Sequence, residues 1–150
     1  MVIGICTCSR AEYEEIAGWA KDYGRANGIS VATQWFASYE EYARSFEKEP
    51  FPITFLSFDD IVNQELAIVI RGVSRAGQMV WLGNDRRFGV SSYRVNAANF
   101  LLKPAAKEDV WDSMERCIEN MNVRPGPDRE NGGTTAPAVC RNKNERCCKL

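Results

Sequence analysis

Short apolar runs and stretches with apolar residues at helical spacing alternate along this chain, and the pair recurs five times. Residues 2–6, Val-Ile-Gly-Ile-Cys, form the first run and have strand length. Ser9-Arg10-Ala11-Glu12 follows with the capping-box pattern, in which the Ser hydroxyl and the Glu carboxylate satisfy the first free amides of a helix. Tyr13, Ile16, Ala17, Ala20 and Tyr23 then share one helical face, and Asn27-Gly28 suits the left-handed turn that ends helices. Ile29, Val31, Thr33 and Trp35 alternate as a strand does. Ser38-Tyr39-Glu40-Glu41 repeats the capping signal, with Tyr39, Tyr42, Ala43 and Phe46 as the next helical stripe.

Pro50-Phe51-Pro52 stops that helix, and residues 53–56 (Ile-Thr-Phe-Leu) are continuously apolar, as in a central strand covered on both faces. Residues 63–73 predict a helix ending near Gly77, and residues 79–82 (Met-Val-Trp-Leu) a fourth strand. Asp59 and Asp60, just before that helix, read as acids placed for its dipole. The pattern then weakens, leaving a short helix over residues 91–95. Residues 100–102 are the fifth strand, and residues 107–121 carry Val110, Met114, Cys117, Ile118 and Met121 on one helical face. Strict alternation with short connections predicts a mostly parallel sheet with helices on both faces, because right-handed crossovers leave few other arrangements. Ligands and chemistry gather beyond the carboxyl ends of the strands in such sheets.

Residues 1–121 therefore read as one domain. Residues 122–150 read as a flexible, basic, cysteine-bearing tail, since Arg-Pro-Gly-Pro and Asn-Gly-Gly-Thr-Thr offer no periodic apolar face. Composition narrows the function. Lys plus Arg (19) nearly balance Asp plus Glu (20), so no net field favours nucleic acid or an anionic membrane. The N-terminal apolar run is too short for a signal-peptide core or a membrane span, and a cytoplasmic protein is expected. The absence of histidine removes Ser-His and Cys-His nucleophile pairs, histidine metal sites and a phosphohistidine relay. The six cysteines, Cys6, Cys8, Cys117, Cys140, Cys147 and Cys148, lack the spacing of a secreted disulfide framework and read as reduced thiols.

Just past the relevant strands stand Thr7 and Cys8, Ser57, Gly83 and Lys103. The stretch from Val95 through Asn96-Ala97-Ala98-Asn99-Phe100-Leu101-Leu102-Lys103-Pro104 resembles the Val-Gly-Ala-x-Asp-Tyr-Leu-Leu-Lys-Pro stretch of bacterial response-regulator receiver domains, most closely the LytTR class. The resemblance implies a doubly wound, flavodoxin-like sheet of five parallel strands in the order 2-1-3-4-5. It also implies that Lys103 is the phosphoryl-contacting lysine, that the bond before Pro104 is cis, and that Phe100 is the switch aromatic. The other site positions depart from the family. Thr7 and Cys8 stand where paired acids hold magnesium, Ser57 replaces the phospho-accepting aspartate, and Gly83 replaces the Thr/Ser.

A hydroxyl and a thiol offer Mg²⁺ no compensating charge, and a serine without a neighbouring base is a poor nucleophile. The expectation is a non-enzymatic, phosphorylation-independent receiver with no cofactor and no metal. It would act in signal transduction or transcription regulation through a protein partner or a second copy of itself. Tyr93, Phe100, Pro104 and Trp111, around the last strand and its flanking helices, are the expected interface. Nucleic acid would enter only through an output domain that this chain lacks. The alternative is a small-molecule or anion-binding module using a vacated strand-end pocket. A hydrolase with Ser57 as nucleophile and Lys103 as base lacks the glycine-flanked nucleophile turn.

Overall fold

The computed structural model describes residues 1–123. The order is β1 (Val2–Thr7), α1 (Arg10–Asn27), β2 (Ala32–Phe36), α2 (Tyr39–Lys48), β3 (Ile53–Ser57), α3 (Asp60–Val73), β4 (Gln78–Gly83), α4 (Gly89–Arg94), β5 (Asn99–Leu102) and α5 (Lys107–Val123). All strand pairs are parallel and the sheet runs β2-β1-β3-β4-β5, the topology expected. The predicted tail, with Cys140, Cys147 and Cys148, lies outside the described residues from residue 124 on. Among the described residues no helix is long and apolar enough to cross a membrane.

Successive residues of a strand point to opposite sheet faces, which divides the interior in two. Ile3, Ile5, Phe55, Val80 and Leu82 meet Ile16, Ala20, Val110 and Met114 of α1 and α5. Cys6, Leu56, Met79 and Trp81 face the other way, toward Tyr42 and Phe46 of α2 and Leu66 and Ile70 of α3. Residues 53–56 lack polar alternation because both faces are covered; β3 is buried along its whole length. Thr54, one of its two polar residues, forms a 2.6 Å hydrogen bond with the Tyr42 hydroxyl.

Several boundaries differ from the sequence reading: α3 ends at Val73 and not near Gly77, α5 runs on to Val123, two residues into the stretch read as tail, and three other differences have a visible cause. β2 starts at Ala32 and not at residue 29, because Gly28 turns left-handed (φ 70) and Ile29 N–H returns to Gly24 O at 2.8 Å. Ile29 and Val31 thus pack on the α1 side of the core instead of extending the strand. α3 begins three residues early, at Asp60, since Asp59 caps it by accepting from Val62 N–H. The weak stretch holds a 3-10 turn (Arg86–Phe88) running into α4. Beyond it, the guanidinium of Arg71 donates to the carbonyls of Ser74, Arg75, Gly77, Val95 and Asn96, tying the end of α3 to the entrance of β5.

Two thiols are locked in the core. Burial pushes Cys6 well above the ordinary thiol value and Cys117 up to about 12. Unfolded, each would ionise near 9.0. The unfolded chain then loses protons that the fold retains, so stability is flat below that value and falls as pH rises toward the folded one. Each thiol is expected to lower stability by about 1.4 kcal/mol one pH unit above its ordinary value. Urea midpoints from about pH 8 to about pH 10 measure this, and Cys117→Ala should flatten the decline. An equal slope in the variant would contradict the assignment.

Candidate functional site

The carboxyl ends of β1 and β3 are register-paired so that Thr7 stands beside Ser57. Gly83 pairs with Leu102 across β4 and β5, and Lys103 N–H bonds Gly83 O at 2.9 Å, which brings Lys103 to the same end of the sheet. Thr7 and Ser57 are 1% and 3% exposed. Their hydroxyls do not face a vacated crater. Glu12, from the first turn of α1, reaches over the strand ends and accepts from both, Oε1 from Thr7 Oγ1 at 2.5 Å and Oε2 from Ser57 Oγ at 2.9 Å.

This corrects half of the predicted capping box. Ser9 Oγ does accept from Glu12 N–H at 3.2 Å, but the Glu12 carboxylate does not return to Ser9 N–H. That amide donates instead to Thr7 Oγ1 at 3.1 Å, which leaves the threonine proton to point at Glu12. Lys103 Nζ donates to Ser57 O at 3.1 Å, with Phe58 O at 3.5 Å, so its charge is anchored on the turn leaving β3. Cys8 does not join the cluster. It is exposed, and its Sγ lies 3.8 Å from Ala37 O at the end of β2.

A second carboxylate closes the β4 side. Asp60 is buried, with Oδ1 accepting from Trp81 Nε1 and Oδ2 from the amides of Asn84 and Asp85, each at 3.1 Å. The helix-dipole account suits Asp59, which caps α3, and misses this function of Asp60. Gly83 explains itself here, because a Cβ built on it would overlap Asp60 Oδ1 and press the Phe100 ring. A Thr or Ser at position 83 is incompatible with Asp60 where it stands. Asn63 completes the turn, bonding Phe58 N–H, Phe58 O and Leu82 O.

The magnesium of receiver domains does not fit this donor set. Mg²⁺ is bound through carboxylate oxygens with open coordination positions, whereas both oxygens of Glu12 and both of Asp60 already accept protein donors. Among the described residues no group of three or more His, Cys, Asp or Glu is placed to hold a metal ion.

The residues predicted for the interface divide. Tyr93 is 57% exposed on α4, and Pro104 is exposed beyond a cis Lys103–Pro104 bond. Phe100 is half-buried, its ring 6.1 Å from that of Trp81. Trp111 belongs to the α1–α5 seam, edge-on to Tyr23 at 5.5 Å with Lys107 Nζ 5.0 Å from its ring centroid. Val90 on α4, Leu102 on β5, and Ile61 and Ile68 on α3 are exposed apolar residues that the sequence reading missed.

No protein-family model matches the chain, and a search of curated proteins found no relative. Solved structures do match. The response regulator DrrB of Thermotoga maritima superposes with TM-score 0.65 at 14% identity over 79% of this chain and 52% of DrrB. NtrX of Brucella abortus, in complex with ADP, gives 0.70 at 17% identity over 82% of this chain and 27% of NtrX. A CheY-like response regulator receiver domain protein from Methanospirillum hungatei gives 0.63 at 19% identity over 81% of this chain and 96% of that one. The chain thus spans about half of DrrB, about a quarter of NtrX and nearly all of the single-domain protein. In fold, the chain is similar to the receiver domains of response regulators.

Proposed function

We propose that this domain serves signal transduction as a receiver that takes no phosphoryl group and works by contact with a protein partner or a second copy of itself. The observation that carries the reading is the hydroxyl of Ser57. By the resemblance it takes the place of the receivers' acceptor aspartate, and it donates to the chain's own Glu12. A serine lacks the charge that draws a phosphodonor and its metal, and both oxygens of Glu12 and of Asp60 over the strand ends are engaged by the protein's own donors. The partner would dock on α4 and β5, where Val90, Tyr93 and Leu102 are exposed. Such a domain is a degenerate member of the LytTR-like group, cytoplasmic, and touches nucleic acid only through a further domain.

Incubation with Mg²⁺ and a small phosphodonor such as acetyl phosphate, followed by intact mass spectrometry, tests the reading. The expected spectrum is that of the unmodified chain. Stoichiometric phosphate on Ser57 would refute it.

A further inference from the structure

Thr7 and Ser57 are more than remnants of a lost acidic pocket. They are paired neighbours on adjacent parallel strands, so the sheet itself fixes their separation. Each donates to a different oxygen of one carboxylate, at 2.5 and 2.9 Å. Both are almost fully buried, and Ser9 N–H, by donating to Thr7 Oγ1, orients the threonine proton toward that carboxylate. Lys103 Nζ, on Ser57 O, adds positive charge at the same strand end. Two fixed donors on one edge and a nearby cation suit a planar, two-oxygen anion. The anion now there is tethered only through a side chain of the first turn of α1, outside the sheet that builds its receptor.

We propose that Thr7 and Ser57 form a carboxylate-binding site whose resident ligand is the chain's own Glu12, and that a small monocarboxylate binds there in its place. The tether gives Glu12 the advantage of an intramolecular ligand, so a free carboxylate competes poorly until Glu12 is displaced or removed. The inference rests on the reading that the pocket takes no phosphoryl group. The two fail separately, since that reading is decided by mass spectrometry of the native chain.

The experiment is a titration of the Glu12→Ala chain with sodium acetate against sodium chloride of equal ionic strength. Thermal midpoint and the amide signals of Thr7, Ser9 and Ser57 are followed. Saturable, acetate-specific stabilisation and shifts are expected in the variant, with an apparent dissociation constant at least about tenfold below that of the native chain. Adding Ser57→Ala should abolish them. Equal responses in native and variant chains, no response beyond chloride, or a response surviving Ser57→Ala would overturn the proposal. Inorganic phosphate binding as tightly as acetate would overturn the carboxylate assignment. Should the alanine variant not fold, Glu12→Ser, a small residue acceptable in a first helical turn, gives the same readings.

Discussion

Replacing Asp60 by alanine is expected to lower stability by about 3–4 kcal/mol, because a buried charge-assisted network loses its central acceptor. The indole N–H of Trp81, a fully buried residue, would have no partner, and the amides of Asn84 and Asp85 would be released from the strand end. Those amides lie nearer the surface and can find water, so the indole carries the larger share of the loss. In thermal unfolding the shift should be about 10 °C for a domain of this size. Coupling to Gly83 makes the assignment specific. Gly83→Ala in the native chain forces a Cβ onto Asp60 Oδ1, whereas in Asp60→Ala that clash is gone and the Phe100 ring, 3.2 Å away, still resists it. The double-mutant cycle should therefore give a coupling of about 1 kcal/mol or more, the second substitution being milder after the first. A loss under about 1 kcal/mol for Asp60→Ala would show that the network is ornamental.

Placing an aspartate at position 57 is expected to harm this domain. Ser57→Asp places a carboxylate where a hydroxyl now donates to Glu12 at 2.9 Å, converting a hydrogen bond into a like-charge contact in a nearly buried place. Lys103 is close enough to offset part of the repulsion, but its ammonium is already seated on the carbonyls of Ser57 and Phe58. The net expectation is a loss of about 2–3 kcal/mol near neutral pH. One of the two carboxyls would hold its proton to higher pH in the fold than in the unfolded chain, so the deficit should shrink as pH falls toward 5. Glu12→Gln in the same chain should recover most of it, since the amide cannot repel the new acid. Urea unfolding of the single and double variants at two pH values reads both effects. An aspartate variant as stable as the native chain would mean that Glu12 does not occupy the site in solution.

Both expectations turn on acids whose function the sequence reading did not find. Glu12 and Asp60 were each visible as acids opening a helix, and a helix start explains such residues by itself through free amides and the dipole. Part of that account holds, for Ser9 and Asp59 do cap their helices. What it omits is the direction of the remaining carboxylates. In a parallel sheet every helix that follows a strand begins at the end where the strands terminate, so an acid in its first turn can reach inward over the strand ends. Glu12 and Asp60 do so.

The sequence by itself determined the five strands, their parallel arrangement and the residues delivered to one end of the sheet. Apolar runs of strand length and helical stripes are local signals, and right-handed crossovers turn their alternation into a parallel sheet, while the strand order was implied by the resemblance of residues 95–104 to receiver domains. Thr7, Ser57, Gly83 and Lys103 could be placed from that alone. The start of β2, the seat of Trp111 beside Tyr23, and the two carboxylates that take up the strand-end donors were decided by tertiary structure. These depend on distances between side chains from different elements, which pairing and packing set to within an ångström and which no periodicity along the chain encodes.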